Sequence, residues 1–319
     1  MEYLILVAGL ALIIIGATML TDGSVALAER FHVPEFIVGL TIVAIGTSMP
    51  ELTVSFLSAL EGSGEMAIGN IIGSNIFNIF AVLGICALIA PISFTKANIR
   101  RDIPICIIAT LALLSVTAMN EDINRTEGIV LLLGYAAMMW YMFRSEKQAL
   151  ATSEATSNEP TEAAKPMAAW RIPIWILAGL GGLIYGGQLS VDSATEIARS
   201  LGVSEATIAI TLIAGGTSLP ELASSLVSLI KGRTSLALGN VLGSNIANIL
   251  LILGTCSTVT PLSMGNVTMF DIYVAVVAVA ILMLSAIVIG RDKLTRFEGV
   301  LFLGCYVAYL CVLLGVIKL

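Results

Sequence analysis

Charged residues are scarce in this chain of 319 residues. Asp, Glu, Lys and Arg together make up 12% of it, against the roughly 25% usual in soluble domains. Hydrophobic residues make up 57%, and they stand in runs of roughly 20, the length that crosses a bilayer as an α-helix. The alternating pattern of membrane-barrel strands is missing. The sequence therefore predicts an all-α integral membrane protein in contact with the lipid bilayer.

The residues that build common metal, nucleic-acid and hydrolytic sites are rare or isolated. His32 is the single histidine, and the five cysteines lie inside apolar runs without a CxxC pair, which argues against disulfides and Cys/His metal sites. No Lys/Arg-rich run is present, so nucleic acid is excluded as a partner. No HExxH, Ser/Lys or Ser/His arrangement occurs. We therefore expect neither an enzyme nor a bound cofactor.

Apolar runs bounded by charges or by Gly, Pro and Asn predict ten membrane spans. They lie at about 3–28, 35–60, 66–90, 102–119, 127–143, 172–198, 205–230, 236–258, 271–290 and 297–317. The one sizeable polar stretch runs from Arg144 to Arg171 and divides the spans into two groups of five. We predict a first five-helix repeat at 1–143, a flexible linker at 144–171 and a second five-helix repeat at 172–319. The linker is too short for a folded regulatory domain.

The distribution of Lys and Arg predicts the orientation. If the N-terminus lies outside, the cytoplasmic connections carry 13 Lys and Arg residues and the opposite ones carry three. Cytoplasmic connections of membrane proteins are enriched in these residues. We therefore expect a multi-pass protein of the cell (plasma) membrane with both termini outside and a cytoplasmic linker.

The two halves of the chain repeat each other. An offset of 170 residues aligns Gly39–Asn78 with Ala209–Asn248, and 19 of these 40 positions are identical. Because each half holds an odd number of predicted spans, the second copy must enter the membrane from the opposite side. The predicted fold is ten transmembrane helices arranged as two inverted five-helix repeats, an architecture of secondary transporters with a substrate site near the midplane.

The first duplicated motif, AIGTSMPE at 44–51 and AGGTSLPE at 214–221, lies in mid-span. Its proline removes a helix hydrogen bond and should break the helix. Glu51 and Glu221 each cost about 2.5–3.5 kcal/mol at the bilayer centre on insertion scales. No Lys or Arg stands centrally in these spans. A bound cation, or a proton, is then the simplest source of the missing positive charge.

The second duplicated motif is GNIIGSNIFN at 69–78 and GNVLGSNIAN at 239–248. Its polar residues recur every four positions and predict a stripe of oxygen ligands on one helix face, formed by Asn70, Ser74 and Asn78 and by Asn240, Ser244 and Asn248. Carboxylate, hydroxyl, amide and backbone oxygens suit hard cations such as Ca²⁺ or Na⁺ rather than Zn²⁺ or Cu⁺.

Several of these residues also have a structural interpretation. Isolated GxxxG, Ser and Thr commonly serve helix packing, and the duplication of Pro-Glu in mid-span is what favours a site here. Asp22 and Asp192 lie near span ends beside other charges, so we expect capping or surface pairing rather than ion binding. For His32 we expect a solvated loop position.

The paired motifs resemble the two α-repeats of the calcium/cation antiporter superfamily, nearest its prokaryotic sodium/calcium exchangers. The resemblance implies cation ligands at Ala44 (through its carbonyl), Thr47, Ser48, Glu51, Ser74 and Asn78, and at Ala214, Thr217, Ser218, Glu221, Ser244 and Asn248. It further implies that the two glutamates form a central calcium site, and that the hydroxyls and alanine carbonyls serve flanking sodium sites. Some relatives, including potassium-dependent exchangers, carry Asp at the position of Asn248, so Asn there argues against potassium dependence.

We therefore predict a secondary antiporter that exchanges calcium for sodium by alternating access at a midplane site. Its partners are Ca²⁺ and Na⁺, which are transported ions and not cofactors, and we expect a monomer. The alternative is a calcium/proton antiporter, because two carboxylates can exchange a cation for protons. An intramembrane enzyme and a passive channel are disfavoured, since a single polar site on broken helices suits alternating exposure.

Overall fold

The computed structural model describes residues 1–119, 122–153, 167–203, 214–265, 267–290 and 292–316. This part of the chain is mainly helical, as the sequence predicts. The helices are α1 (Glu2–Phe31), α2 (Glu35–Thr47), α3 (Met49–Leu60), α4 (Gly64–Ile89), α5 (Asn98–Ala118), α6 (Arg125–Ser153), α7 (Arg171–Ser200), α8 (Leu219–Ile230), α9 (Thr234–Val259), α10 (Met269–Ile289) and α11 (Arg296–Leu313). One further turn, Ala214–Gly216, precedes α8.

Within the described ranges, eight helices are long and apolar enough to cross a membrane. The number rises to nine if α2 and α3, which meet at a bend of 46°, form one span. α8 is apolar but shorter. The predicted span at 205–230 begins among residues 204–213, which lie outside the described part of the chain.

Proline sets the breaks ahead of α3 and α8. Pro50 and Pro220 each occupy the second position of their helix, where the missing N–H costs no helical hydrogen bond. The residues just before the helices, Ser48 and Ser218, have non-helical backbone angles of φ −82°, ψ 10° and φ −90°, ψ 7°. The predicted break in each copy of the motif is therefore confirmed, and it creates a helix N-terminus inside the protein.

In the described ranges, five stretches of π-helix interrupt the helices, at Gly39–Val43, Asn78–Val82, Asn98–Asp102, Asn248–Leu253 and Ser285–Ile289. Two of them begin at equivalent positions of the repeat, Asn78 in α4 and Asn248 in α9. A π-turn inserts an extra residue into a helix and is frequent at functional sites. Both copies of the second motif therefore end in the same local distortion.

Two short antiparallel ribbons join the halves of the chain. β1 (Ile92–Ser93) pairs with β4 (Lys293–Leu294), and β2 (Asp122–Ile123) pairs with β3 (Leu262–Ser263). β1 and β3 are separated by the same offset of 170 residues as the motifs. Each half contributes one strand to each ribbon.

α6 extends to Ser153, ten residues beyond the predicted span end at 143. The segment RSEKQALATS at 144–153 contains neither Gly nor Pro, so nothing in it stops the helix. The first part of the predicted linker is helical, and residues 154–166 lie outside the described ranges.

The centre of the fold is formed by α4 and α9. In the most apolar 18 residues of α4 and α9, 78% and 94% of the residues are buried. Among the other six of the eight spanning helices in the described part, this share does not exceed 44%. Both helices carry the second duplicated motif. Their polar residues are therefore held at the centre of the protein, surrounded by helices with more exposed apolar surface.

α1 and α7 pack against each other along a line of glycines. Contacts from Gly9 to Ser190, from Gly16 to Gly179 and from Gly23 to Ile176 show that the helices run antiparallel. A Cβ atom built on Gly179 would lie 2.6 Å from the backbone nitrogen of Leu20. Glycine is therefore required for this approach of the two backbones.

We expect Gly179→Ala to destabilise the protein by about 1–3 kcal/mol, because the added methyl group overpacks a backbone contact. Gly181→Ala on the same helix is the matched control, since a Cβ there meets nothing within 4 Å. Thermal unfolding in detergent measures both. Equal melting temperatures for the two variants would contradict the glycine interface.

Candidate cation site

The duplicated motif brings two fully buried carboxylates into the protein interior. Glu51 is the third residue of α3 and Glu221 the third residue of α8, and both are 0% exposed. The proline breaks place both carboxylates in the first turn of a helix, where the helix dipole favours negative charge by up to about 2 kcal/mol. That is less than the insertion cost of about 2.5–3.5 kcal/mol. Further positive compensation is needed.

Hydroxyl groups from both halves of the chain surround Glu51. Ser74 donates a hydrogen bond to Glu51 Oε1 at 2.9 Å, and Ser218 donates to the same oxygen at 3.0 Å. The hydroxyls of Ser74 and Ser218 are 2.6 Å apart. A carboxylate of the first half is thus held by a hydroxyl of its own half and one of the second.

Glu221 has an equivalent set of neighbours. Ser48 donates to Glu221 Oε1 at 2.8 Å, and Ser244 lies 3.5 Å from the same atom. The Ser244 hydroxyl also approaches the backbone carbonyl of Ala44 at 3.4 Å. Each glutamate is therefore bonded by the serine that precedes the proline in the opposite half. The cluster lies at the junction of the two halves.

Several buried polar atoms of this region have no hydrogen-bond partner among the described residues. They are Glu51 Oε2, Glu221 Oε2, Thr217 Oγ1, Asn248 Oδ1 and both amide atoms of Asn78. Buried polar atoms almost always have a partner. Most of these atoms are oxygens, which supply the lone pairs that a hard cation requires.

The structure thus brings most of the predicted ligands together. One hydrogen-bonded group contains Glu51, Ser74 and Ser218. A second group contains Glu221, Ser48, Ser244, Ala44 and Thr47. Asn78 and Asn248 lie four residues beyond Ser74 and Ser244, at the start of the π-turns. Ala214 begins the single turn ahead of α8, and its side chain lies outside the described part.

Asn70 and Asn240 contact the backbone of the two glutamates. The Asn70 amide donates to the Glu51 backbone carbonyl at 3.3 Å and to the Ser55 hydroxyl at 3.0 Å. Asn240 makes the equivalent bonds to the Glu221 carbonyl and Ser225, at 3.3 and 2.9 Å. These amides therefore make contacts that the predicted stripe did not include, because they hold the backbone of the glutamates.

The serine partners of these amides were not predicted from the sequence. Ser55 and Ser225 are fully buried or nearly so, and they occupy the same position in the two copies of the repeat. Identity between the copies was the signal that could have found them.

The two copies of the motif differ in access. Thr47 is fully buried and bonds the Asn240 side-chain oxygen at 3.1 Å. Its counterpart Thr217 instead lines a cavity of about 690 Å³, together with Gly216, Pro220 and residues of the C-terminal half of α7. The cavity therefore extends to Thr217 from the side of α7 on which Ser200 lies, and α3 contributes Met49 and Pro50 to its lining.

The aspartates at the span ends do not join the cluster. Asp22 forms an ion pair with Lys231, which confirms the predicted surface pairing. Asp192 is exposed and lines the cavity. His32 is exposed at the end of α1, as expected for a solvated position. Within the described ranges, no group of three or more His, Cys, Asp or Glu side chains could hold a metal ion.

Comparison with known proteins gives consistent matches along the whole chain. The family model described as sodium/calcium exchanger protein matches residues 1–144 and 171–315. The sodium/calcium exchanger MaX1 of Methanosarcina acetivorans is 30% identical over 98% of each chain. The inner membrane protein YrbG of Escherichia coli is 32% identical over 97% of this chain and 95% of its own length.

The fold is also similar to that of a solved exchanger. The sodium-calcium exchanger NCX_Mj, in crystals soaked with zero Na⁺ and Ca²⁺, superposes with a TM-score of 0.82. The sequences are 30% identical, and the match covers 98% of each chain.

Proposed function

This chain belongs to the sodium/calcium exchanger family, a family of membrane cation antiporters, and we propose that it exchanges Ca²⁺ for Na⁺ at the site between Glu51 and Glu221. The observation that carries the proposal is the pair of fully buried carboxylates, whose described neighbours are hydroxyls and backbone groups from both halves. A divalent cation, or Na⁺ ions in its place, would supply the positive charge that these carboxylates lack.

The proposed ligands are the oxygen-bearing groups of the two motifs. Glu51 and Glu221 would hold Ca²⁺ at the centre, and hydroxyl, amide and alanine carbonyl oxygens would complete the calcium and sodium sites. The full set is Ala44, Thr47, Ser48, Glu51, Ser74, Asn78, Ala214, Thr217, Ser218, Glu221, Ser244 and Asn248. All are oxygen donors, which suits both transported ions. Because one chain would contain the whole set, we propose that a monomer suffices.

We further propose the architecture of ten transmembrane helices in two inverted five-helix repeats, at 1–143 and 172–319, joined by a cytoplasmic linker at 144–171. The equivalent proline breaks ahead of α3 and α8 support it, as do the π-turns at Asn78 and Asn248. The asymmetry of Lys and Arg supports an orientation with both termini outside a plasma membrane.

The cavities support alternating access to the site. With the proposed orientation, α7 ends on the outer side, so the cavity beside Thr217 opens outward. A second cavity of about 500 Å³ lies near Lys231 on the cytoplasmic side, and its described lining includes none of the proposed ligands. On that side, the Thr21 and Ser228 hydroxyls are 3.1 Å apart, and Glu35 pairs with Arg233. We assign the structure to an outward-facing conformation.

Calcium/proton exchange is the second candidate, because two buried carboxylates could bind protons when Ca²⁺ leaves. Sodium is favoured by the number of additional oxygens. A proton needs only the carboxylates, whereas a hard cation of this size needs about six oxygen ligands. Ser74 and Ser218 beside Glu51, with Ser48 and Ser244 beside Glu221, provide such oxygens.

We expect Glu51→Gln and Glu221→Gln each to abolish calcium transport and leave folding nearly intact. The amide has the volume of the carboxylate, but a divalent ion loses half of its charge compensation. Radiolabelled Ca²⁺ uptake into Na⁺-loaded proteoliposomes measures the loss. Glu61→Gln at the exposed end of α3 is the control, with normal uptake expected. Near-normal exchange by Glu51→Gln or Glu221→Gln would contradict the proposal.

Calcium uptake should require internal Na⁺. Ser74→Ala and Ser244→Ala should each weaken apparent Na⁺ affinity more than Ca²⁺ affinity, because Na⁺ depends more on neutral oxygens. Ser115→Ala, at an exposed hydroxyl on α5, should change neither. The test compares vesicles loaded with Na⁺, with K⁺ or with neither. Equal uptake driven by a pH gradient without Na⁺ would establish the proton-coupled alternative.

The orientation can be tested by cysteine labelling. In a background without the five native cysteines, Glu2→Cys should react with an impermeant maleimide from the outside. Ala155→Cys in the linker should react only after the membrane is opened. Labelling of both sites from one side would rule out the five-plus-five inverted arrangement.

A further inference from the structure

Two asparagines link α4 to α9 at the centre of the protein. The Asn75 side-chain amide donates to the Asn245 backbone carbonyl at 3.1 Å. The Asn245 side chain donates to the Asn75 carbonyl at 3.2 Å. Both are buried, at 4% and 1% exposure, and they occupy the same position in the two copies of the second motif. The two helices thus exchange a symmetrical pair of hydrogen bonds.

This exchange fixes the orientation of the Asn75 amide. Its nitrogen faces the Asn245 carbonyl, so its oxygen must face elsewhere, because the group has only one oxygen and one NH₂. That oxygen accepts a hydrogen bond from the Asn248 amide nitrogen at 2.9 Å. Only a hydrogen-bond donor at position 248 can satisfy it.

The orientation of Asn248 follows in turn. With its NH₂ group bound to Asn75, its oxygen is the remaining polar atom, and this oxygen is buried without a hydrogen-bond partner among the residues that the structure describes. The opposite orientation would direct two N–H groups at the site and repel a cation. The amide orientation therefore decides whether position 248 can attract a cation.

We propose that Asn75 is a positioning residue that directs the side-chain oxygen of Asn248 toward the transported cation. The proposal rests on the proposed function, because it takes Asn248 as a ligand. Asn75 acts without contacting the ion itself, as groups that hydrogen-bond metal ligands generally do.

The other copy of the repeat provides a matched control. Asn245 makes the same bond to the neighbouring helix, but in the described part of the chain its side-chain oxygen has no partner, and neither do the amide atoms of Asn78. Asn75→Leu and Asn245→Leu each remove one bond of the exchange and change the volume equally. Only Asn75→Leu also frees a predicted ligand from its partner.

The experiment measures the KM for Ca²⁺ and the maximal rate of Na⁺-dependent exchange in proteoliposomes. Loss of a group that orients a metal ligand typically costs about 10–100-fold in affinity. We expect an increase of about tenfold in the KM of Asn75→Leu, and a clearly smaller one for Asn245→Leu. Size-exclusion profiles and melting temperatures verify folding, with Asn75→Ala in place of Asn75→Leu if the larger side chain prevents it.

A double-mutant cycle with Asn248→Ala separates positioning from structural support. If Asn75 acts through Asn248, its replacement should not raise the KM further once Asn248 is gone. Additive increases, or equal effects of Asn75→Leu and Asn245→Leu, would overturn the positioning role and leave the proposed antiport intact. An unchanged KM for Ca²⁺ and Na⁺ in Asn248→Ala alone would instead remove Asn248 from the proposed ligands, and the positioning role with it.

Discussion

The burial of two carboxylates in the centre of a membrane protein is the constraint on which the rest of the structure depends. Water cannot stabilise their charge there, and in the described part of the chain neither Glu51 nor Glu221 has a Lys or Arg partner. The protein provides partial compensation through the ends of α3 and α8 and through serine hydroxyls. The remaining compensation would come from the transported cations. Under this view, loading the site and stabilising the protein interior are the same event, and a site without its positive charge is the costly state of the cycle.

Much of the candidate site could be predicted because the sequence contains it twice. Chance seldom preserves a mid-span Pro-Glu and a stripe of polar residues in two copies, so identity at the 170-residue offset separated functional positions from ordinary helix packing. The sequence could not show that Ser48 bonds Glu221 and that Ser218 bonds Glu51. Those bonds cross between the halves, and they depend on how α3 and α8 meet. The same limitation hid the contacts of Asn70 and Asn240, since spacing along one helix does not reveal that a neighbouring helix presents its backbone to them.

Span boundaries and local distortions were less accessible from the sequence. A span predicted from hydropathy ends where polar residues begin. The helix α6 nevertheless continues to Ser153, because outside the membrane a helix needs only residues with adequate helix propensity. The π-turns at Asn78 and Asn248 leave no compositional trace, because they arise from packing at the centre. The difference in burial between Thr47 and Thr217 could not be predicted from the sequence. The two residues stand in the same GTS triplet, yet one is enclosed and the other faces a cavity. The same sequence motif therefore occupies two different environments in this structure.

The small ribbons formed by β1 with β4 and by β2 with β3 have a consequence for biogenesis. Each ribbon needs a strand from the first half and a strand from the second. When the ribosome has delivered only the first half, β1 and β2 have no partner strand, and their backbone groups must remain hydrated or be covered by another protein. Membrane insertion can proceed helix by helix, but the β2–β3 ribbon can form only after Leu262–Ser263 has been synthesised, and the β1–β4 ribbon only after Lys293–Leu294. The first half is therefore an assembly intermediate with unpaired strands, and its release from the insertion machinery before the second half arrives would expose edges prone to non-native pairing.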